Sequence, residues 1–165
     1  MIAFKQKREE RGTLEIKRLT PEDFNEVEEF FLSLGAVADT SELDDIEDII
    51  EEELSLGAYV NGRLVGVLLG WVAGFNGAEF IDDENALYFE FDIKPEYDGE
   101  HIRHALLEKM EEIAKEEEFD FLLTELTEPL EKLKVNPSLE AKVLIDRDFY
   151  FLKLEDSVVA FKKFF

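Results

Sequence analysis

A chain of 165 residues in which 45% are apolar, with 15 Phe, is long enough to bury a proper core and too apolar for a disordered segment. Its 41 acidic against 18 basic residues leave a net charge of −23, which argues against nucleic acid or anionic membrane as partners, since both bind through basic faces. Without cysteine there are no disulfides or thiolate metal ligands and a cytoplasmic location is the default; His101 and His104 are the only imidazoles, and nothing else supports a zinc site or a Ser-His-Asp triad.

Residues 1–165 read as a single domain, with residues 1–12, MIAFKQKREERG, as a loose arm or an extra strand. That segment has no apolar run of the kind a signal peptide needs, and no uninterrupted apolar stretch approaches a membrane span. Thr13 to Leu19 alternates as a first strand. Thr20-Pro21-Glu22-Asp23 then starts a helix, with Thr20 as N-cap, Pro21 in the first position and Asp23 closing a near capping box. Phe24, Val27, Phe30, Phe31 and Leu34 keep helical spacing, and Gly35 ends the helix.

A second helix is expected from about Ser41 to Leu56, burying Leu43, Ile46, Ile49, Ile50 and Leu54. Its other face carries Asp44, Asp45, Glu47, Asp48 and Glu51 to Glu53, either a solvated surface or an attraction for a cationic amine. Asn61-Gly62 between the apolar runs Ala58 to Val60 and Leu64 to Leu68 predicts a type I′ hairpin, because both central residues must take positive φ. Residues 73–85 read as a loop.

The stretch from Ala86 to Glu118 organises the rest. An aromatic strand stops at Pro95, a polar turn contains Asp98 and Gly99, and a helix follows in which Ile102, Ala105, Leu106, Met110, Ile113 and Ala114 share one face. Glu108, Glu111, Glu112 and Glu116 to Glu118 are expected off that face. The first backbone N–H groups of this helix lack internal partners and sit at the positive end of its dipole, so the amides of Gly99, Glu100, His101, Ile102, Arg103 and His104 can hold a pyrophosphate, helped by Arg103 or a protonated His. Beyond it, Phe119 to Leu126 is a strand whose apolar middle suits an interior position. Pro129 is followed by a short helical turn over Leu130 to Val135, and Asn136-Pro137-Ser138 starts another helix. Phe149 to Leu154 and Val158 to Phe164 close the chain as two strands.

Ile93-Lys94-Pro95, then Asp98 to Arg103 and the pair Leu106-Leu107, resemble the central motif of the GNAT-fold N-acyltransferases, a strand ending V-x-P followed by Q/R-x-x-G-x-G/A. The element order agrees: strand, two helices, a hairpin with Val65-Gly66 in its return strand, then strand and helix. Asp98 stands where Gln or Arg is usual, and His101 and Arg103 where the two Gly are. The resemblance implies an α/β (α+β) fold with a mixed, mostly antiparallel sheet of six or seven strands and about four helices. It also implies acetyl-CoA as co-substrate, no metal, and an amine acceptor, small or peptidic, which the acidic surface would draw in if it is cationic. Phe91 and Ile93 would pair with the pantetheine arm, Glu90 or Asp92 would take the amine proton, and Asn136 would contact CoA. The family's A-x-x-L-Y-x-x-x-G-F pattern falls on Glu140 to Phe149, with Leu144 at the tyrosine and Asp148 at the glycine. A homodimer through an edge strand is common in that family. The departures leave a second reading open: a GNAT-like binding or regulatory module without catalysis, engaging a partner through its acidic surface.

Overall fold

The computed structural model describes residues 13–35, 40–72, 85–155 and 157–164, so the expected N-terminal arm and nearly all of the 73–85 loop lie outside the described residues. The strands are β1 (Leu14–Arg18), β2 (Leu56–Val60), β3 (Arg63–Trp71), β4 (Ala86–Ile93), β5 (Phe121–Leu126), β6 (Tyr150–Lys153) and β7 (Val158–Lys163). Among the described residues the helices are α1 (Phe24–Leu34), α2 (Thr40–Glu51), α3 (Glu100–Glu116), α4 (Leu130–Val135) and α5 (Leu139–Asp146). The seven strands are ordered β1-β2-β3-β4-β5-β7-β6. The chain divides into two compact units, Met1–Leu69 with Phe91–Asp98, and Gly70–Glu90 with Gly99–Phe165.

In the first unit β1 runs antiparallel to β2, from Leu14 opposite Val60 to Arg18 opposite Leu56. Asn61 and Gly62 take φ of 53° and 78°, as a type I′ turn requires, and join β2 to β3 with a bulge between Ala58 and Tyr59. The start of α1 follows the expected chemistry: the Thr20 N–H donates to Asp23 Oδ2 at 2.9 Å, and Pro21–Asp23 form a 3-10 turn. Val27, Phe30 and Phe31 are buried, and Gly35 at φ 68° stops the helix. The second helix ends earlier than expected, at Glu51. Glu53 turns left-handed at φ 56° with its N–H on Ile50 O, which frees Leu56 to begin β2. Ile46 and Ile50 are buried and the charged face of α2 is exposed.

In the second unit β5 runs parallel to β4 and antiparallel to β7, while β6 pairs only with β7 among the described strands. The interior position expected for β5 is the one observed, with Leu122, Leu123 and Thr124 buried. Ile102, Leu106, Leu107, Met110, Ile113 and Ala114 form the buried face of α3. Glu111 corrects the periodicity: it is 5% exposed and belongs to that buried set. Its Oε1 accepts from Lys162 Nζ at 2.6 Å and its Oε2 from Arg147 Nε, and Lys162 also donates to Arg147 O at 2.9 Å. A carboxylate can be buried here because two cations come with it and each of its oxygens accepts a hydrogen bond.

The cap of α5 also differs from expectation. Ser138, and not Asn136, accepts the Ala141 N–H, at 3.1 Å, and Asn136 instead closes α4 with its N–H on Lys132 O. Two helices end in Schellman motifs without glycine. After α3, Glu118 at φ 59° is followed by a Phe119 N–H to Ala114 O bond; after α5, Asp148 at φ 67° is followed by Phe149 N–H to Leu144 O. Left-handed backbone opposes a Cβ, and short polar side chains suffer least. Glu118→Gly is therefore expected to raise the stability by about 1 kcal/mol and Asp148→Gly by less, an order that denaturant midpoints measure.

Candidate active site

The candidate residues sit on β4, on the turn after it and on the first turn of α3. Within the second unit, the start of β4 is held by ring packing: Tyr88 lies against Trp71 with centroids 4.5 Å apart, and Phe89 meets Phe149 edge-on at 5.9 Å. The parallel register with β5 pairs Ala86, Leu87 and Tyr88 with Phe121, Leu122 and Leu123, whereas β4 continues to Ile93 and β5 to Leu126.

Side chains alternate along a strand, so Tyr88, Glu90 and Asp92 share one face of β4. Glu90 is exposed by area, yet enough chain surrounds its carboxyl that desolvation raises it above the usual carboxylate range. Asp92 is half-buried. Tyr88 is pushed up to about 12, first by burial and then by the carboxylates of Glu125, Glu90 and Glu140, with a backbone hydrogen bond at Glu125 acting the other way. It therefore keeps its proton throughout the neutral range. Its place two residues before Glu90 was the only signal the sequence carried for it.

In the first unit, Phe91 and Ile93 are half-buried, and Ile93 Cγ1 would lie 3.3 Å from a Cβ added at Gly66. The V-G pair of the return strand thus lets β3 approach β4 closely, and the Lys94 N–H to Val65 O bond of 2.9 Å continues that approach. Pro95–Tyr97 form a 3-10 turn, and the Asp98 N–H reaches back to Pro95 O.

Gly99 is the N-cap of α3 and no side chain caps it. A Cβ built on Gly99 meets nothing within 4 Å, so the turn opens on space. The charged residues of the first helical turns are drawn sideways to α5. Glu100 Oε1 is 2.7 Å from Lys142 Nζ, Arg103 Nη1 is 3.9 Å from Glu140, and His104 Nε2 is 3.7 Å from Asp146. The hydrogen bond from Lys142 holds the Glu100 carboxyl below its usual range and raises Lys142 in return. A carboxylate that would repel an anion at this helix end is thereby compensated. Ile102 is buried and can offer only its amide, Arg103 is 12% exposed along its side chain, and His101 faces solvent. Asn136 is exposed at the end of α4.

The positions aligned with the family's tyrosine and glycine have separate fates. Leu144 is fully buried. Asp148 takes the left-handed conformation for which glycine is the usual residue. Tyr150 is 68% exposed and lies 5.8 Å from the Phe161 ring. Among the described residues no group of three His, Cys, Asp or Glu is arranged to hold a metal ion, and no helix is long and apolar enough to cross a membrane.

A mostly antiparallel sheet containing one parallel step, β4 to β5, bridged by an amphipathic helix with an uncapped start, defines an α/β protein of the GNAT fold class. The acetyltransferase (GNAT) family model matches residues 17–133. The chain belongs to that family. No curated protein matches it in sequence. Among solved structures it is similar to the Salmonella typhimurium protein yncA with its cofactor acetyl-CoA, at 12% identity and a TM-score of 0.67 over 92% of this chain and 94% of that one. It is also similar to the Drosophila melanogaster polyamine N-acetyltransferase, at 9% identity and TM-score 0.68 over 92% and 100% of the two chains. A third likeness is to the paia N-acetyltransferase of Thermoplasma acidophilum in complex with coenzyme A, at 16% identity and TM-score 0.59 over 92% and 99%. Likenesses at these identities establish the fold.

Proposed function

We propose that this chain is an acetyl-CoA-dependent N-acetyltransferase that acts as a single domain and moves an acetyl group to an amine by direct attack. The observation that carries the reading is the uncapped start of α3 at Gly99, which opens on space while its charged neighbours are turned toward α5. The amides of Gly99 to Ile102 seat the pyrophosphate, with His101 as the exposed side chain beside it; the expected run to His104 is too long, because the Arg103 N–H is already given to Gly99 O at 3.3 Å. Phe91 and Ile93 offer main-chain groups to the pantetheine arm.

Glu90 takes a proton from the acceptor ammonium, directly or through water, and its raised pKa suits it to that task. The neutral amine attacks the thioester carbonyl, the tetrahedral adduct collapses with cleavage of the C–S bond, and the proton that the adduct's nitrogen loses is taken up by the departing CoA thiolate. Leu144 supplies no acid for that last step, and a thiol of pKa near 8.5 leaves without one. Asp92 is the alternative base on the same strand face. Asn136 lies at the end of α4, where the family's CoA contact is expected.

The acceptor is an amine, and the acidic face of α2 favours a cationic one by raising its local concentration. Both are carried over from the family and the charge pattern, as an edge-strand homodimer is from the family; a cytoplasmic location follows from the lack of cysteine.

Acetyl-CoA is expected to raise the melting temperature of the purified chain, since a ligand at 100 times its Kd adds about 2.7 kcal/mol to the native state. Gly99→Glu tests the cradle. Its φ of −156° suits any residue and its Cβ meets nothing, so the fold is retained, while a carboxylate beside the pyrophosphate should weaken acetyl-CoA by about tenfold or more. An unshifted melting temperature with acetyl-CoA and free CoA alike would favour the non-catalytic module.

A further inference from the structure

Within the first unit lies an open cleft of about 400 Å3 whose walls carry both signs of charge. Glu26 and Glu29, one turn apart on α1, line it together with Arg63 at the start of β3 and Lys94 after β4, and Phe30 and Leu64 supply apolar surface. Glu26 is held in place, because the hydroxyl of Tyr59, a residue 6% exposed, donates to its Oε1 at 3.0 Å. Burial and that carboxylate both raise the Tyr59 pKa, so the phenol remains a donor. Ser33 lines the cleft too, but its hydroxyl is already given to Phe30 O at 2.7 Å.

Carboxylates outnumber cations 41 to 18 in this chain. Even so, among the described residues neither Arg63 nor Lys94 forms an ion pair, with Glu26 and Glu29 or with any other carboxylate. The opposite charges line one cleft without pairing. A simple anion placed there would face two glutamates, and a simple amine would face an arginine and a lysine. A molecule with both charges satisfies both walls, and having no net charge it is not repelled by a polyanionic protein. The volume falls in the range of about 300–1,000 Å3 typical of small-molecule sites.

We propose that this cleft binds a free α-amino acid with an apolar side chain, its ammonium at Glu26 and Glu29, its carboxylate at Arg63 and Lys94, and its side chain on Phe30 and Leu64. The inference is independent of acetyl transfer, because binding is read without any thioester.

The test is a titration of the 15N-labelled full chain with L-leucine, followed by NMR. The expected result is saturable shifts at the amides of Arg63 and Lys94. N-acetyl-L-leucine, which lacks the ammonium, and L-leucinamide, which lacks the carboxylate, should each bind at least about tenfold more weakly. Arg63→Gln with Lys94→Gln should abolish leucine binding at an unchanged melting temperature. The proposal is overturned by the absence of saturable shifts up to about 10 mM leucine, a Kd too weak to matter. It is equally overturned by capped analogues that bind as well as leucine, or by a double variant that binds it as the parent does.

Discussion

Glu90→Gln is expected to lower acetyl transfer at pH 7 by about 10²-fold or more, the usual contribution of a positioned general base. The deficit should shrink as the pH rises toward the pKa of the acceptor, about 10.4 for a lysine-like amine, because a growing share of acceptor then arrives without the proton that Glu90 removes. Acetyl-CoA affinity should be unchanged. The same substitution has an opposite effect on stability. Desolvation raises the Glu90 carboxyl in the native state, so that state holds more protons than the unfolded chain between the two pKa values. Stability conferred by the protonated form is complete below the unfolded pKa of about 4.3 and is lost as the pH rises through the higher native value. Glu90→Gln should therefore melt higher than the parent at pH 7 and equally at pH 3.5. A variant that transfers acetyl groups at the parental rate at every pH would remove Glu90 as the base. Asp92→Asn would then be measured in the same way.

Glu111→Gln is expected to cost about 3 kcal/mol, which for a chain of this size is a fall of about 6–12 °C in melting temperature. The amide fills nearly the same volume, so packing is kept and the loss is electrostatic. Arg147 and Lys162, whose side chains are 24% and 25% exposed, are left facing one another without the carboxylate that joins them. Their partial exposure places the cost at the lower end of what breaking a buried ion pair takes. Replacing all three together, Glu111→Leu with Arg147→Met and Lys162→Met, should recover most of the loss, because an apolar cluster needs no charge compensation. Recovery by the triple variant separates an ion cluster from a simple packing defect. Thermal melts of the three proteins at one salt concentration are sufficient.

Elements governed by near neighbours in the chain were readable in advance. Asn61-Gly62 adopts the two positive φ values its turn demands, Thr20 to Asp23 and Gly35 bracket α1, and the apolar stripe of α3 is buried as its spacing implied except at Ala105, which is half-buried. The open turn at Gly99 was legible for the same reason: a helix start leaves amides unpaired whatever surrounds it. Where local signals failed, a longer-range force had chosen. Glu53, Glu118 and Asp148 accept a left-handed conformation that no glycine announces, since helix-end hydrogen bonds and the burial of Phe119 and Phe149 outweigh a cost of about 1–2 kcal/mol at each such position.

The sequence by itself determined the family, the strand and helix order, and the residue types along β4 and the first turn of α3, because these depend on spacing within a few residues. Tertiary structure alone decided that β7 lies between β5 and β6, that Glu111 is inside, and that Glu100, Arg103 and His104 turn toward α5. The last two of those outcomes join groups 36 to 51 residues apart in the chain, the limits being Glu111 with Arg147 and Glu111 with Lys162. A charge shows in the sequence that it must be compensated, but its partner is chosen by the fold, where desolvation makes one particular pairing cheaper than all others.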